Sequence, residues 1–369
     1  MDMKNIKILP LIILLILTTL SEAQNFALLD SVINSSISKK AFPGAAIAVG
    51  SKNAIIYKKA YGNYTYDKAS TAVTTQSMFD MASVTKAFST NFCLMKLVDE
   101  NKIDINKKVC EYIPAFGQNG KEDVRVIDLL IHESGLQAYY TPKEGQSRQS
   151  IIDSIMALPL SYKTNSDMIY SCLNFVTTML VVEAASGERM YKFYKDNFTD
   201  PLEMKSTMYV PTPDCVDQCV TTFTHLKGIV HDPLARGLEG LSGNAGLFSS
   251  VEDLSKLCIL LLNKGMYNGK RYLKAETIEY FSKKYSDRTT RAIGFDTRSN
   301  DGTASSGKLF SPGSYGHLGY TGTSIWIDPV KEIFVVFLTN RVYPDDTASI
   351  KRIRPKVHDA VIKSLREKK

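Results

Sequence analysis

This chain reads as β at both ends and α in the middle, and that order constrains its fold more than any other feature. Residues 44–50 and 54–61 are two short β-type runs around the turn Gly50-Ser51-Lys52-Asn53, a hairpin signal. Residues 323–328 and 332–340 flank a second turn at Asp328-Pro329, and both runs are rich in Ile, Val and Phe. Between these ends the pattern is helical, over residues 83–100, 126–132, 150–158 and 170–186. Residues 26–40 also carry apolar side chains at helical spacing. A basic helix over residues 348–368 closes the chain, with Ile353, Val357, Ala360 and Leu365 placed to pack on a sheet. The order predicts one α/β unit assembled from both termini: a mostly antiparallel sheet flanked by helices, with an inserted all-α domain. Length agrees. The first 23 of the 369 residues read as removable, and a single core rarely grows past ~250–300 residues.

Those 23 residues have the form of a signal peptide. Lys4 and Lys7 precede an apolar run over residues 8–20, and Ser21 and Ala23 supply small residues before a cleavage after Ala23. The run is short for a membrane span, which needs ~20 residues. No later segment is apolar enough, so the expectation is a secreted or periplasmic protein with no stable membrane span once the signal is removed. Hydrophobic residues make up 44% and charged residues 22%, which excludes disorder, collagen and coiled coil as the main architecture. Nucleic acid is not an expected partner. The net charge is +7, but residues 351–369 hold eight Lys/Arg against two Asp/Glu, so the remainder is almost neutral. Of six cysteines, Cys215 and Cys219 lie in a polar stretch and form the expected disulfide, while Cys93, Cys110 and Cys258 sit among apolar residues. No C-x-x-C or His-Glu-x-x-His pattern occurs, so neither a metal nor another cofactor is implied.

No serine has glycine at both −2 and +2, which removes the nucleophile elbow of α/β-hydrolases. Another arrangement is present. Ser-x-x-Lys puts a hydroxyl and an amine on one face of a helix, where the amine can take the serine proton. It occurs at Ser36/Lys39, Ser83/Lys86 and Ser305/Lys308. Only Ser83 stands at the start of a strongly apolar helix, whose free N–H groups favour a developing oxyanion. Burial and the same field are expected to lower the pKa of Lys86. Taken alone, the pair reads better as an ordinary helix cap at Ser83 and a solvated first-turn lysine at Lys86. Two further segments tip the balance: Tyr170-Ser171-Cys172 at the opening of a helix, and His317-Leu318-Gly319 before the late strands. Three glycines between Gly316 and Gly322 imply a close approach to that backbone.

With these three segments in order, the chain resembles the serine β-lactamase and penicillin-binding protein superfamily, in the branch of class C β-lactamases, D,D-carboxypeptidases and esterases. Ser83-Val84-Thr85-Lys86 matches the first motif, Tyr170-Ser171-Cys172 falls where the family has Tyr-x-Asn, and His317-Leu318-Gly319 where it has Lys/His-Thr-Gly. Residues 129–136 and 243–254 also look like family segments, and the resemblance covers nearly the whole mature chain. It implies a β-lactamase/transpeptidase-like fold, with an α/β domain from residues 24–82 and 225–369 and a helical domain at 83–224. It implies Ser83 as the acylated nucleophile, Lys86 as its base and Tyr170 as a proton relay. The N–H groups of Ser83 and Tyr320 would form the oxyanion hole, and Cys172, His317, Leu318 and Gly319 would contact substrate.

Two positions depart from the family pattern. Cys172 replaces the asparagine that holds a substrate amide, and a thiol is a weak hydrogen-bond partner. Leu318 replaces the threonine that helps grip a substrate carboxylate, leaving a partly protonated His317 or an arginine such as Arg288, Arg291 or Arg298 for that task. Both changes favour a neutral ester over a D-alanyl peptide or a β-lactam. The expectation is an exported serine hydrolase that cleaves a small ester or amide through an acyl-serine, with an ester preferred. A D,D-carboxypeptidase or class C-type β-lactamase is the alternative, and a non-catalytic receptor for the same ligands is the alternative of another class. His132 is expected to fix a loop, and His231 with Asp232 to serve a structural loop.

Overall fold

The computed structural model describes residues 25–299 and 305–366. The expected signal peptide and its cleavage after Ala23 lie outside the described residues. Among those residues no helix is long and apolar enough to cross a membrane.

The two predicted hairpins meet in one antiparallel sheet. Its strands run in the order Ile55–Gly62, Gly44–Ser51, Ile333–Thr339, Ser324–Asp328, Tyr315–Leu318 and Asp296–Thr297. The join lies between the first hairpin and the last, with Ala45 opposite Thr339 and Ser51 opposite Ile333. Both central strands are buried on both faces, which is why they read as unbroken apolar runs rather than as alternation. Ala45, Ile47, Val49, Val335 and Phe337 face the terminal helices Ala27–Ser38 and Arg354–Arg366. Ala46, Ala48, Phe334, Val336 and Leu338 face a larger apolar cluster that continues through the helices of the middle segment. The mixed architecture with an antiparallel sheet and flanking helices is the one expected.

Four local expectations are corrected. Residues 83–100 do not form one α-helix: a wide π turn over Lys86–Thr90 precedes the helix Asn91–Asp99. The turn is anchored from outside, because Thr90 Oγ1 donates to the Gly243 carbonyl at 2.7 Å and Asn91 Nδ2 to the Ile293 carbonyl at 3.0 Å. The closing helix starts at Arg354 rather than at 348, since Pro355 is tolerated only in a first turn. All six cysteines are free. Cys219 is buried against Met78, Val230 and Phe248, and its thiol approaches the Cys215 carbonyl at 3.5 Å rather than the Cys215 sulfur. Cys110 is half-buried instead of in the core.

A short sheet carries the chain into the site. Phe79–Asp80 pairs with Leu247–Ser249, which also pairs with Met208–Tyr209 from the otherwise helical segment.

Candidate active site

Ser83 follows a strained turn. Ala82 has φ +45°, a left-handed conformation that costs a non-glycine residue of order 1–3 kcal/mol unless its surroundings hold it. Asp80 does the holding. Its buried carboxylate accepts the Ala82 N–H at 2.8 Å and the His231 N–H at 2.6 Å. Two threonines of the 319–323 segment clamp the same turn, Thr321 onto the Asp80 carbonyl at 2.7 Å and Thr323 onto the Met81 carbonyl at 3.0 Å. Burial pushes the Asp80 carboxyl up to about 6, against the pull of its two backbone donors. Sequence reading passed over Asp80. Its one signal is a carboxylate inside the apolar stretch that leads into Ser83.

Lys86 is fully buried beneath Ser83. Its Nζ lies 3.0 Å from Ser83 Oγ, 2.8 Å from the Asn244 carbonyl oxygen and 3.5 Å from Cys172 Sγ. Three contacts match the three donors of an ammonium. Burial pushes this ammonium down, as expected, but Cys172 and Tyr170 opposite it, with Asp232 beyond, pull it up. The balance lies above the ordinary lysine value, which corrects the expected lowering.

Tyr170 lies over Lys86, with Nζ 5.1 Å from the ring centroid. It enters the site because the next residue, Ser171, caps the helix Cys172–Ser186 by accepting the Leu173 N–H at 3.1 Å. His132 Nδ1 accepts the Ser171 N–H at 3.1 Å, and its ring lies 4.5 Å from the Tyr170 ring, tilted by 38°. Burial, then the positive charge of Arg291 and Lys86, pushes His132 well below the ordinary histidine value, so it is neutral and fixes the loop. His231 gives its N–H to Asp80, and Asp232 caps the helix Pro233–Gly237; both roles are structural.

The strand Tyr315–Leu318 and its continuation form the opposite wall. The close approach implied by the glycines is to protein backbone: a Cβ on Gly316 would meet the Ile325 carbonyl, and one on Gly319 would lie 2.5 Å from the Met81 carbonyl oxygen. His317 is buried 6.2 Å from the Tyr170 ring, and its Nδ1 donates to the Leu318 carbonyl at 2.9 Å. Burial, then Arg291 and Lys86, holds its pKa well down. His317 is therefore neutral at neutral pH, and the partial positive charge expected of it is absent. Leu318 turns largely to the outer apolar cluster. Tyr320 is fixed from outside by Asp346 and by Arg341, whose guanidinium sits 4.5 Å from its ring. Among the described residues no protein acceptor takes the backbone N–H of Ser83 or of Tyr320.

Ser83, Tyr170, His317, Leu318, Gly319 and Tyr320 line one cavity of about 510 Å³, and Lys86 and Cys172 lie just behind its wall. Of the three arginines considered, Arg291 reaches this cavity, with its guanidinium 5.2 Å from the Tyr170 ring. Arg288 pairs with Glu133, and Arg298 is turned to the carbonyls of Gly307 and Lys308. Arg341 and Arg354 also line the cavity. Arg354 comes from the segment that, in sequence, shows only as a basic C-terminus.

A family model described as Beta-lactamase matches residues 29–358. The chain is 33% identical over 344 residues to an N-acetylmuramyl-L-alanine amidase of Bacillus subtilis (strain 168), spanning 81% of this chain and 77% of that protein. Among solved structures it is similar to EstCE1, a hydrolase with promiscuous acyltransferase activity, with a TM-score of 0.75, 20% identity and coverage of 91% of this chain and 97% of that one. A penicillin-binding protein homologue from Caulobacter crescentus superposes with a TM-score of 0.78 at 16% identity, covering 92% of this chain and 97% of that one. At such identities the structural likenesses speak for the fold.

Proposed function

The chain belongs to the Beta-lactamase family of serine hydrolases, and from that premise we propose that it hydrolyses carboxylic esters through an acyl intermediate on Ser83. The observation that carries this reading is the 3.0 Å contact between Lys86 Nζ and Ser83 Oγ, in a cavity that two unpaired backbone N–H groups border. Ser83 Oγ attacks the carbonyl carbon while its proton passes to the free amine of Lys86. The carbonyl oxygen takes up negative charge facing the N–H groups of Ser83 and Tyr320. Collapse breaks the bond to the leaving alkoxide, which receives the proton from Lys86 by way of the Tyr170 hydroxyl. Water then attacks the acyl carbon by the same route, releasing the acid and restoring Ser83.

Cys172 supports an ester over an amide. At the place where the family holds a substrate amide, this chain has a half-buried thiol turned to Lys86. A second reading, cleavage of an amide such as a cell-wall peptide or a β-lactam, has one observation in its favour: the cationic Arg291 and Arg354 in the cavity wall suit a carboxylate-bearing substrate. The signal-like N-terminus supports export of the enzyme to where either substrate is met.

The test is intact mass after incubation with a fluorophosphonate and with a penicillin, beside kcat/KM on a p-nitrophenyl ester, a chromogenic cephalosporin and a D-alanyl-D-alanine peptide. The reading expects an adduct on Ser83, absent in Ser83→Ala, and the highest kcat/KM on the ester. An unmodified Ser83 under both reagents points to a binding protein instead. Peptide turnover above ester turnover points to a carboxypeptidase.

A further inference from the structure

The hydrolytic cycle uses Ser83, Lys86 and Tyr170 and gives the Cys172 sulfur no chemical task, although that sulfur touches the base. Lys86 Nζ lies 3.5 Å from Cys172 Sγ. Both ends of the contact are held. The Cys172 N–H donates to the Ala138 carbonyl at 2.8 Å, and Ser171 caps the helix that Cys172 opens. Lys86 is fully buried, and its Nζ is fixed by Ser83 Oγ at 3.0 Å and by the Asn244 carbonyl at 2.8 Å. A sulfur nucleophile and a nitrogen nucleophile are thus kept in contact. They do not react with each other as they stand. Loss of two electrons from the sulfur turns it into an electrophile that a neighbouring nitrogen can attack.

Among the described residues the other thiols lack this setting. Burial pushes Cys93 and Cys258 well above the ordinary thiol value and Cys219 up to about 12, which keeps them from the thiolate that oxidants consume. Cys110 meets the Glu122 carbonyl and Cys219 the Cys215 carbonyl, each at 3.5 Å, and neither has an amine in contact. Cys172 is half-buried behind the wall that Ser83 and Tyr170 give to the main cavity, within reach of a small oxidant. Lys86 brings both a positive charge and a nucleophile to its sulfur.

We propose that Cys172 and Lys86 form a modification site, at which hydrogen peroxide closes a reversible sulfur–nitrogen bond between the two side chains. In the first step the Cys172 thiolate attacks one peroxide oxygen. An S–O bond forms, the O–O bond breaks, and the departing hydroxide takes up a proton to become water; sulfur is oxidised and peroxide reduced. In the second step the lone pair of the free Lys86 amine attacks the sulfenic sulfur. The S–N bond forms, the S–O bond breaks, and the hydroxyl leaves as water with one proton from the amine. The sum is one thiol, one amine and one peroxide giving the cross-link and two waters. The bound nitrogen no longer serves as a base for Ser83. A dithiol returns both groups by reducing the bond and closing its own disulfide. The cross-link is independent of the substrate of Ser83, whereas its effect on turnover rests on the reading of Lys86 as the base.

The experiment treats the full chain with hydrogen peroxide, in a Cys215→Ser background that removes the other neighbouring pair of cysteines. A tryptic map and the turnover of a p-nitrophenyl ester are read before treatment, after it, and after dithiothreitol. The expected map shows no cut after Lys86. It joins residues 69–96 to residues 164–189, the fragments that hold Lys86 and Cys172, with the loss of two hydrogen atoms. Turnover of the cross-linked fraction falls at least ~100-fold and returns with dithiothreitol. Cys172→Ala and Cys172→Ser, each compared with itself before treatment, keep their turnover and show no joined fragments. A Cys172 that gains oxygen while trypsin still cuts after Lys86, or that stays a thiol, overturns the proposal. The chain with both residues intact decides this alone if a variant fails to fold. Joined fragments with unchanged turnover would support the cross-link and refute Lys86 as the base. A protein that turns over no ester before treatment refutes the hydrolase reading, and the map still decides the cross-link.

Discussion

Replacing Asp80 with asparagine separates what this carboxylate does for stability from what it does for Ser83. The side chain is fully buried and its pKa is raised from 3.8 to about 6. Two units correspond to ~3 kcal/mol of preference for the neutral form. For an acid whose pKa is raised on folding, the folded state binds the proton more readily than the unfolded state. Stability from this group is therefore greatest below about pH 4 and is lost as pH rises through about 6. Asp80→Asn removes the charge and recovers most of that loss at pH 7.5. Against this, one amide oxygen cannot accept from both Ala82 and His231, and a lost hydrogen bond to a charged group costs ~1.5–3 kcal/mol. The two effects nearly cancel, so at pH 7.5 the variant unfolds within ~1.5 kcal/mol of the wild type. Between pH 7.5 and 4.5 the wild type gains ~2 kcal/mol relative to the variant.

Activity does not cancel. With the Ala82 turn held by one bond fewer, the Ser83 N–H leaves its position, and misplacing one oxyanion donor costs ~10²–10³ in kcat. The assay is denaturant unfolding of both proteins from pH 4.5 to 8, beside kcat on p-nitrophenyl acetate. A variant with kcat within threefold of the wild type, or one whose stability tracks the wild type at every pH, would refute the reasoning.

Lys86 and Cys172 supply two further tests. Because the pKa of Lys86 is held above its ordinary value, the free amine is the minor form at neutral pH; kcat/KM for a neutral ester should rise steadily from about pH 7 to 9, and a flat profile would exclude the Lys86 amine as the base. Cys172→Asn should raise the ratio of amide to ester turnover by ~1–3 kcal/mol of transition-state binding if a buried hydrogen bond is restored, and an unchanged ratio would show that this position does not contact substrate.

The architecture was legible because it is written in local patterns. Unbroken apolar runs at residues 44–50 and 332–340 already imply strands buried on both faces, and helical spacing marks the middle segment. Ser83, Lys86 and Tyr170 were legible for a related reason: a hydroxyl, an amine and a phenol near helix starts are chemistry that short spacing can express. Spacing did not reveal the wide turn at Lys86–Thr90, since its anchors, Gly243 and Ile293, are supplied from more than 150 residues away. The partners that set the charge of the site are equally remote. Asp80 meets the His231 N–H, Lys86 meets the Asn244 carbonyl, and Arg354 reaches back to Gly319. Sequence alone thus determined most of the elements and singled out Ser83, Lys86 and Tyr170, which the fold brings together, because backbone periodicity and side-chain chemistry are properties of neighbouring residues. Tertiary structure decided that Lys86 is held above and His317 below its ordinary pKa, that Cys215 and Cys219 stay free, and that Arg291, Arg341 and Arg354 gather at one cavity wall. Each of these depends on burial and on charges brought together by folding, and neither quantity exists in the chain until it is folded.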